Sequence, residues 1–327
     1  MALSDLAVYS EYAYSAMTEI LDQQINAFNA ASEGTIVLAP AAHQGDFSDQ
    51  VLFAKIAGGT VRRRNAYGSG AVAEKTLKHL VDTSVKVAAG TPPIRLDRGQ
   101  FLWIQQNPEV AGAAMGQQLA VDLLADMLNT GIGSCVSALS GVAANVNDIS
   151  AGTGAAADPS FIALTNTAGK IGDRQNAIRA WIMHSTPMTK LWVNALTNAE
   201  RLFQYGSVNV LRDPFGRIFV VMDSPALAAT GSKYNTLGLQ AGAIYVGQNN
   251  DFDANEQAIN GDENIKRTYQ AEWSYNVGIN GFSWDKSANG SGSSKSSPTD
   301  AMLFTAANWD KYATSNKDIA GVMLVSK

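Results

Sequence analysis

The sequence predicts an α+β protein, and three observations carry the prediction. A helical, partly amphipathic segment opens the chain. Strand-like pieces divided by Gly and Pro follow it. Beyond residue 170, short strands alternate with helices rather than forming one long run of either. The chain has 327 residues, 46% hydrophobic and 16% charged. That is ample apolar material for a large core, and it is far from the composition of a disordered tail.

Residues 4–30 carry Leu6, Tyr9, Tyr12, Ala16, Ile20 and Ile25 at mostly helical spacing, which predicts a helical arm. Residues 50–104 read as an extended, hairpin-like excursion. "LFAKIAGGTVRRR" and "TSVKVAAGTPPIRLDRGQFLWI" are strand-like, with a helix expected at "AVAEKTLKHLV". Asn107-Pro108-Glu109 then opens a helix, with Asn as cap, Pro in the first position and an acid in the first turn. If unbroken, the Ala-, Leu- and Met-rich stretch behind it covers about 40 residues or roughly 60 Å. Gly131-Ile132-Gly133 predicts a kink in it. "SAGTGAAAD" (150–158) is a linker, and Asp158-Pro159 is expected to cap a helix through about Gly169.

"NAIRAWIM" then reads as a strand, Thr186 to Asn198 as a helix, and "VNVLRD", "RIFVVMD", "YNTLGL" and "AIYVGQ" as short strands of a mixed α/β unit. "TYQAEWSYNVGINGFSW" predicts a long strand and "KSANGSGSSKSSPTD" a loop. The chain closes with "TDAMLFTAANWDKY" and the strand-like "IAGVMLVS".

Composition excludes several functions. Net charge −5 and pI 5.2 lack the basic excess of a nucleic-acid-binding domain. Cys135 is the sole cysteine, so no intrachain disulfide forms. His43, His79 and His184 are far apart and form no metal-ligand pair. The N-terminus has no basic leader followed by an apolar stretch, and no window approaches the roughly 20 apolar residues of a membrane span. Charge is nevertheless uneven. Residues 1–54 hold seven acids and no Lys or Arg; residues 55–100 hold nine bases against three acids. Such opposed segments invite pairing, within the chain or between copies of it.

Three motifs suggest chemistry and fail on inspection. His184 and Ser185 are neighbours in "AWIMHSTPMTKLW", but adjacent strand residues face opposite ways and no nucleophile elbow surrounds the serine. The pattern spells a strand end, a Ser or Thr cap and Pro187 in the next helix's first turn. "GSGAVA" (68–73) matches a dinucleotide fingerprint, yet Arg62-Arg63-Arg64-Asn65 stands where a buried strand is required. "DFDANEQAINGD" (251–262) imitates a calcium loop but has Glu256 where the turn needs Gly. The adjacent Arg62, Arg63 and Arg64 can instead hold phosphate or pair with carboxylates.

The order of elements resembles that of tailed-bacteriophage major capsid proteins with the Hong Kong 97-like fold. The local cues are "AIRAWIMHSTPMTKLW", "VNVLRDPFGRIFVVMDS", "AGAIYVGQ" and "SSPTDAMLFTAANWDKY". The resemblance implies an N-terminal arm (1–44) and an extended β-hairpin E-loop (45–104) reaching over a neighbouring subunit. It implies a discontinuous peripheral domain with a long spine helix (105–149 plus 263–327) and an α/β axial domain (150–262). The implied function is self-assembly, as hexamers and pentamers, into an icosahedral virion shell around double-stranded DNA, without sequence-specific DNA binding and with no membrane. Portal, scaffolding and decoration proteins are the implied further partners, and the host cytoplasm the place of assembly. The chain begins at Met1 without a charged coil-forming leader, so no fused scaffolding segment is expected. No catalytic residue, cofactor or metal is expected. The inter-subunit contact candidates are the bases Lys55, Arg62, Arg63, Arg64 and Lys75 and the acids Asp5, Glu11 and Glu19. An encapsulin-like nanocompartment shell is the alternative of the same fold; an NAD-dependent oxidoreductase is the enzymatic one.

Overall fold

A computed structural model describes residues 3–40, 45–54, 56, 60–96, 99, 102, 104, 106–197, 210–212, 217–229, 231–259, 266–287 and 296–327. Helix α1 (Leu3–Ala31) leads into β1 (Ile36–Pro40), β2 (Phe47–Phe53), β3 (His79–Gly90) and β4 (Ile94–Leu96). Helix α2 (Pro108–Ser140) follows, then β5 (Val146–Asp148), α3 (Phe161–Ala168), β6 (Ile178–Met183), α4 (Ser185–Thr197), β7 (Val210–Arg212) and β8 (Ile218–Val221). The chain continues through β9 (Ala228–Ala229), β10 (Lys233–Gln240), β11 (Ile244–Gln248), β12 (Asp253–Ile259), β13 (Lys266–Ile279) and β14 (Phe282–Trp284). It ends with α5 (Asp300–Leu303), β15 (Trp309–Lys311) and β16 (Gly321–Ser326). This is the α+β class that the sequence predicts.

Two sheets organise these elements. The nine-stranded one is built on β13, whose 14 residues pair along both edges. Residues 266–272 pair β12 and 275–279 pair β11; on the opposite edge 267–269 pair β4 and 272–277 pair β3. A turn at Asn280–Gly281 folds the chain into β14, so the expected long strand is a strand plus a hairpin. The seven-stranded sheet runs β5-β16-β10-β6-β8-β7, with β9 on β10. In it β6 and β8 are parallel, joined through α4 as in an α/β unit. The sheets exchange segments: β11 and β12 lie in the first, and the C-terminal β16 in the second.

The main core lies between α1, α2 and the nine-stranded sheet. Tyr9, Ala13, Met17, Leu21 and Ile25 form a buried stripe of α1 at four-residue spacing. This corrects the expected face: Tyr12 is exposed and Ala16 and Ile20 only half-buried. The competing stripes are close in hydrophobicity, and packing on α2 selects one. Where the helices meet, Gly112 and Gly116 let backbones touch. A Cβ on Gly112 would stand 2.6 Å from the Tyr9 carbonyl oxygen, and one on Gly116 2.4 Å from that of Ala13.

Helix α2 spans 33 residues, about 50 Å, and runs uninterrupted through Gly131 and Gly133, where the sequence predicts a kink. These glycines serve contact instead. A Cβ on Gly133 would meet the Phe304 ring at 2.2 Å, and one on Gly131 the Ile244 side chain at 3.0 Å. Among the described helices α2 alone is long and apolar enough to cross a membrane, and 61% of that stretch is buried inside the protein. The Thr130 hydroxyl bonds the Tyr275 oxygen at 3.0 Å, and that phenol donates to Asp126 at 2.7 Å, tying α2 to β13.

Several local expectations fail for physical reasons. Residues 71–78 form no helix and His79–Val81 enter β3, because a short segment exposed on all sides has nothing to bury its apolar face against. Leu102 and Ile104 are helical, not extended. Asn107 occupies the N-cap position of α2 without a side-chain bond. Ser160, not Asp158, caps α3, accepting the Ala163 N–H at 3.1 Å, while Asp158 pairs with Lys190 at 2.8 Å. The Ser/Gly run at 288–295 lies outside the described residues.

Gly116→Val should separate α1 from α2, since overpacking a close contact costs about 1–3 kcal/mol. Thermal unfolding should drop by several degrees and amide exchange in α1 should rise, while Gly70→Ala, a site with open space around it, leaves both unchanged.

Candidate assembly surface

The polar constellations that suggest catalysis resolve into structure. His184 Nδ1 lies 3.5 Å from Ser185 Oγ and 3.5 Å from Asp223 Oδ1, and accepts the Thr186 N–H at 3.2 Å. A catalytic relay needs nucleophile and carboxylate on opposite ring nitrogens; here both crowd one nitrogen, which already receives a helix N–H. Asp223 accepts the Ser185 N–H at 2.9 Å. Bonds from Ser185, hydroxyl first and backbone second, hold its carboxyl below the ordinary value. His184 and Asp223 thus cap α4, in place of the expected Ser or Thr. Residues 68–73 sit on an exposed stretch with neither strand before nor helix after them. Asp253–Ile259 is the strand β12, while Asp251 accepts from Ser274 and pairs with Lys86 at 3.4 Å, so residues 251–259 do not form a calcium loop; 260–262 of the motif lie outside the described residues.

The surface that stands out is the β2–β3 ribbon and what extends from it. The strands pair from Phe47↔Val85 to Phe53↔His79, and the Ala54 N–H still bonds the Lys78 carbonyl. Every residue from 60 to 79 is exposed. The ribbon and its extension carry apolar side chains into solvent, with Phe53 68%, Val61 88% and Tyr67 99% exposed. A lone two-stranded ribbon is marginal in water, and apolar residues gathered on one projection mark an interaction site.

Arg62, Arg63 and Arg64 lie exposed on this extension, and among the described residues none has a hydrogen-bond or ion-pair partner. Lys75 is exposed on the same stretch; Lys55 lies outside the described residues. Glu11 and Glu19 are exposed on α1, away from its buried stripe; Asp5 is in α1, but its side chain lies outside the described residues. No ion pair joins these acids to the arginines within the described chain. An exposed carboxylate on a helix contributes only about 0–1 kcal/mol to any pair it makes.

Sequence reasoning missed one electrostatic feature because it is assembled across the fold. Glu256 on β12 lies opposite Tyr269 on β13, beneath α1, whose Tyr9 ring meets Tyr269 edge-on at 6.0 Å. Neither carboxyl oxygen of Glu256 has a hydrogen-bond partner. Burial pushes its pKa up from 4.5 to about 7, against the pull of Arg267. Burial and this neighbouring carboxyl likewise push Tyr9 and Tyr269 to about 12.

A sequence-family profile described as major capsid protein 13-like matches residues 5–323. No curated protein matches the chain. Similar solved structures include the acid-stable capsid of Helicobacter pylori bacteriophage KHP30, with TM-score 0.48 and 12% identity over 89% of this chain and 86% of that one. The head of Helicobacter pylori bacteriophage KHP40 gives TM-score 0.46 and 11% identity over 90% and 88% of the two chains. A chain of Microbacterium phage Oxtober96 gives TM-score 0.46 and 11% identity over 76% and 84%.

The folded chain holds the Glu256 proton more tightly than the unfolded chain does. Its stabilising contribution is therefore complete below the ordinary carboxyl value of 4.5 and is lost as pH rises through about 7. The unfolding temperature of the wild type should fall between pH 5 and pH 8, and Glu256→Gln should flatten that slope. An unchanged slope in the variant would assign the pH dependence elsewhere.

Proposed function

The chain belongs to the major capsid protein 13-like family, and from that premise we propose that its copies close into an icosahedral bacteriophage head around double-stranded DNA. As a family member it is a structural, shell-forming component of the virion. The observation that carries the finer reading is the extension of the ribbon, exposed at every residue from 60 to 79, with Val61 and Tyr67 in solvent and Arg62, Arg63 and Arg64 unpaired among the described residues.

In this reading the Hong Kong 97-like division applies: N-terminal arm 1–44, E-loop 45–104, peripheral domain 105–149 with 263–327, and axial domain 150–262. The long α2 serves as spine, with β11 and β12 extending the peripheral sheet and β16 completing the axial one. The shell closes because one chain makes different, complementary contacts with successive neighbours. Hexamers and pentamers, with portal, scaffolding and decoration proteins, complete the head in the host cytoplasm. The net charge of −5 keeps the wall from gripping packaged DNA, so the DNA is held without sequence recognition. Lys55, Arg62, Arg63, Arg64 and Lys75 engage acids of an adjacent copy, among which Asp5, Glu11 and Glu19 are the sequence's candidates.

Negative-stain microscopy of the expressed chain, with its head-assembly partners where they are needed, tests the reading. Closed shells are expected; a stable monomer that never assembles would end it. Replacing Arg62, Arg63 and Arg64 together by alanine should reduce the yield of closed shells several-fold and lower the salt concentration at which they dissociate. Sedimentation across a salt series measures both.

A further inference from the structure

At the root of the exposed ribbon, strands β2, β3, β11 and β13 enclose an open polar cleft of about 450 Å³. Its walls include Gln50, Asp82, Ser84, Tyr245 and Asn276, with the side-chain-free Gly278 between them. Asp82 is half-buried. It accepts one hydrogen bond, from the Tyr312 hydroxyl at 3.2 Å, and no cation of the described chain lies within ion-pair distance. Burial raises its pKa despite that bond. A carboxylate withdrawn from water without a counter-charge is an unsatisfied group that a cation would stabilise.

Asn276 lines the same cleft beside Asp82 and is held rigidly there. It is 3% exposed, and its Oδ1 has no hydrogen-bond partner. The amide is oriented by a directional chain. Its Nδ2 donates to Asn249 Oδ1 at 3.3 Å, Asn249 Nδ2 donates to Ser274 Oγ at 2.9 Å, and the Ser274 hydroxyl donates to Asp251. Reversing Asn276 would break the first link, so the acceptor stays unsatisfied. The oxygen is enclosed, so the amide forms part of the polar wall of the cleft and leaves Asp82 as its receiving group.

The complementary groups are on the same chain and have no partner in it as described. Arg62, Arg63 and Arg64 present guanidinium donors without acceptors, on a stretch exposed along its whole length and therefore not laid on its own body. Some ten residues separate Phe53 from these arginines, a span of up to about 35 Å when extended. We infer that the cleft at the ribbon root receives the Arg62–Arg64 segment of a second copy, with Asp82 as counter-ion. The inference rests on the arm-mediated assembly proposed above and replaces the exposed acids of α1 as the receiving site. A partly desolvated carboxylate engages a guanidinium more strongly than a solvated one does, and the planar fork can take two bonds at once.

The test uses closed shells purified from an Arg63→Lys chain, prepared as a mixture of isotopically light and heavy copies. A carbodiimide activates a carboxyl group; the introduced amine displaces the urea leaving group and forms an amide only where the two already touch. Digestion and mass spectrometry should find a mixed light–heavy peptide joining position 63 of the variant to Asp82. Shells that form but carry no such link, or link position 63 to Glu11 or Glu19 instead, overturn this inference and leave the assembly reading intact. Failure of the wild-type chain to form shells would instead remove the reading beneath it. If the Arg63→Lys variant itself does not assemble, charge reversal decides. Asp82→Lys alone and Arg62→Glu/Arg63→Glu/Arg64→Glu alone should each lower shell yield at least tenfold, and their combination in one chain should restore it. No restoration by the combination overturns the inference.

Discussion

The fold depends on how closely α1 and α2 approach. Gly112 and Gly116 place the backbone of one helix against that of the other, at separations where even a methyl group would collide with a carbonyl oxygen. This contact fixes which face of α1 is buried. It also holds the α1 stripe over β13, so that the nine-stranded sheet is covered by helix rather than solvent. Strand β13 then has both edges engaged, and β3 is drawn out along one of them. The first half of β3 continues past β13, paired with β2 and held at Thr83, whose N–H donates to Ser283 Oγ of β14 at 3.2 Å. The projecting ribbon is therefore a consequence of a well-anchored root, and it can be marginal at its tip because its base is held by the core.

Much of this is legible from periodicity and punctuation. The extent of α1, the start of α2 at Asn107-Pro108, the β6–α4 step at His184 and the strands around 233–248 all follow local rules, and the structure agrees with them. What sequence alone does not carry are choices made by distant partners. The stripe of α1 is ambiguous until α2 selects Tyr9, Ala13, Met17, Leu21 and Ile25. The glycines at 131 and 133 look like breakers in isolation, yet their lack of a side chain admits Ile244 and Phe304, more than a hundred residues away. The helix expected at 71–81 has good propensity and no neighbour, and a short helix without a packed face does not persist. The ribbon-root cleft, whose Asp82 and Asn276 are nearly two hundred residues apart in sequence, has no local signal.

The opposed charges of the first hundred residues follow the same logic. Part of the acidic half is used inside the chain: Asp49 pairs with Lys286 on the far side of the sequence, and the Lys286 contact depresses its pKa, with desolvation opposing and the Thr83 bond assisting. Lys86, from the basic half, likewise pairs with Asp251. Arg62–Arg64 stay unpaired on the exposed extension, while Glu11 and Glu19 stay exposed on α1 and Asp82 lacks a counter-charge at the ribbon root. Folding has therefore used some of these charges inside the chain and left others without a partner in it.

The two kinds of residue on that projection have different tasks. Burying a side chain such as Val61 or Phe53 is worth about 1.5–3 kcal/mol, whereas a solvated ion pair yields about 0–1 kcal/mol. In the assembly proposed above, apolar burial must therefore supply most of the affinity of each arm, and it is non-directional. A greasy ribbon alone could slide along any apolar strip. Arginines that find their counter-charge at only one place add less energy but penalise every wrong register, which is the usual contribution of interfacial charge. A shell built from many copies needs that division. Each contact must stay weak enough for misplaced subunits to leave, while the sum over all arms, acting multivalently, keeps the closed assembly together.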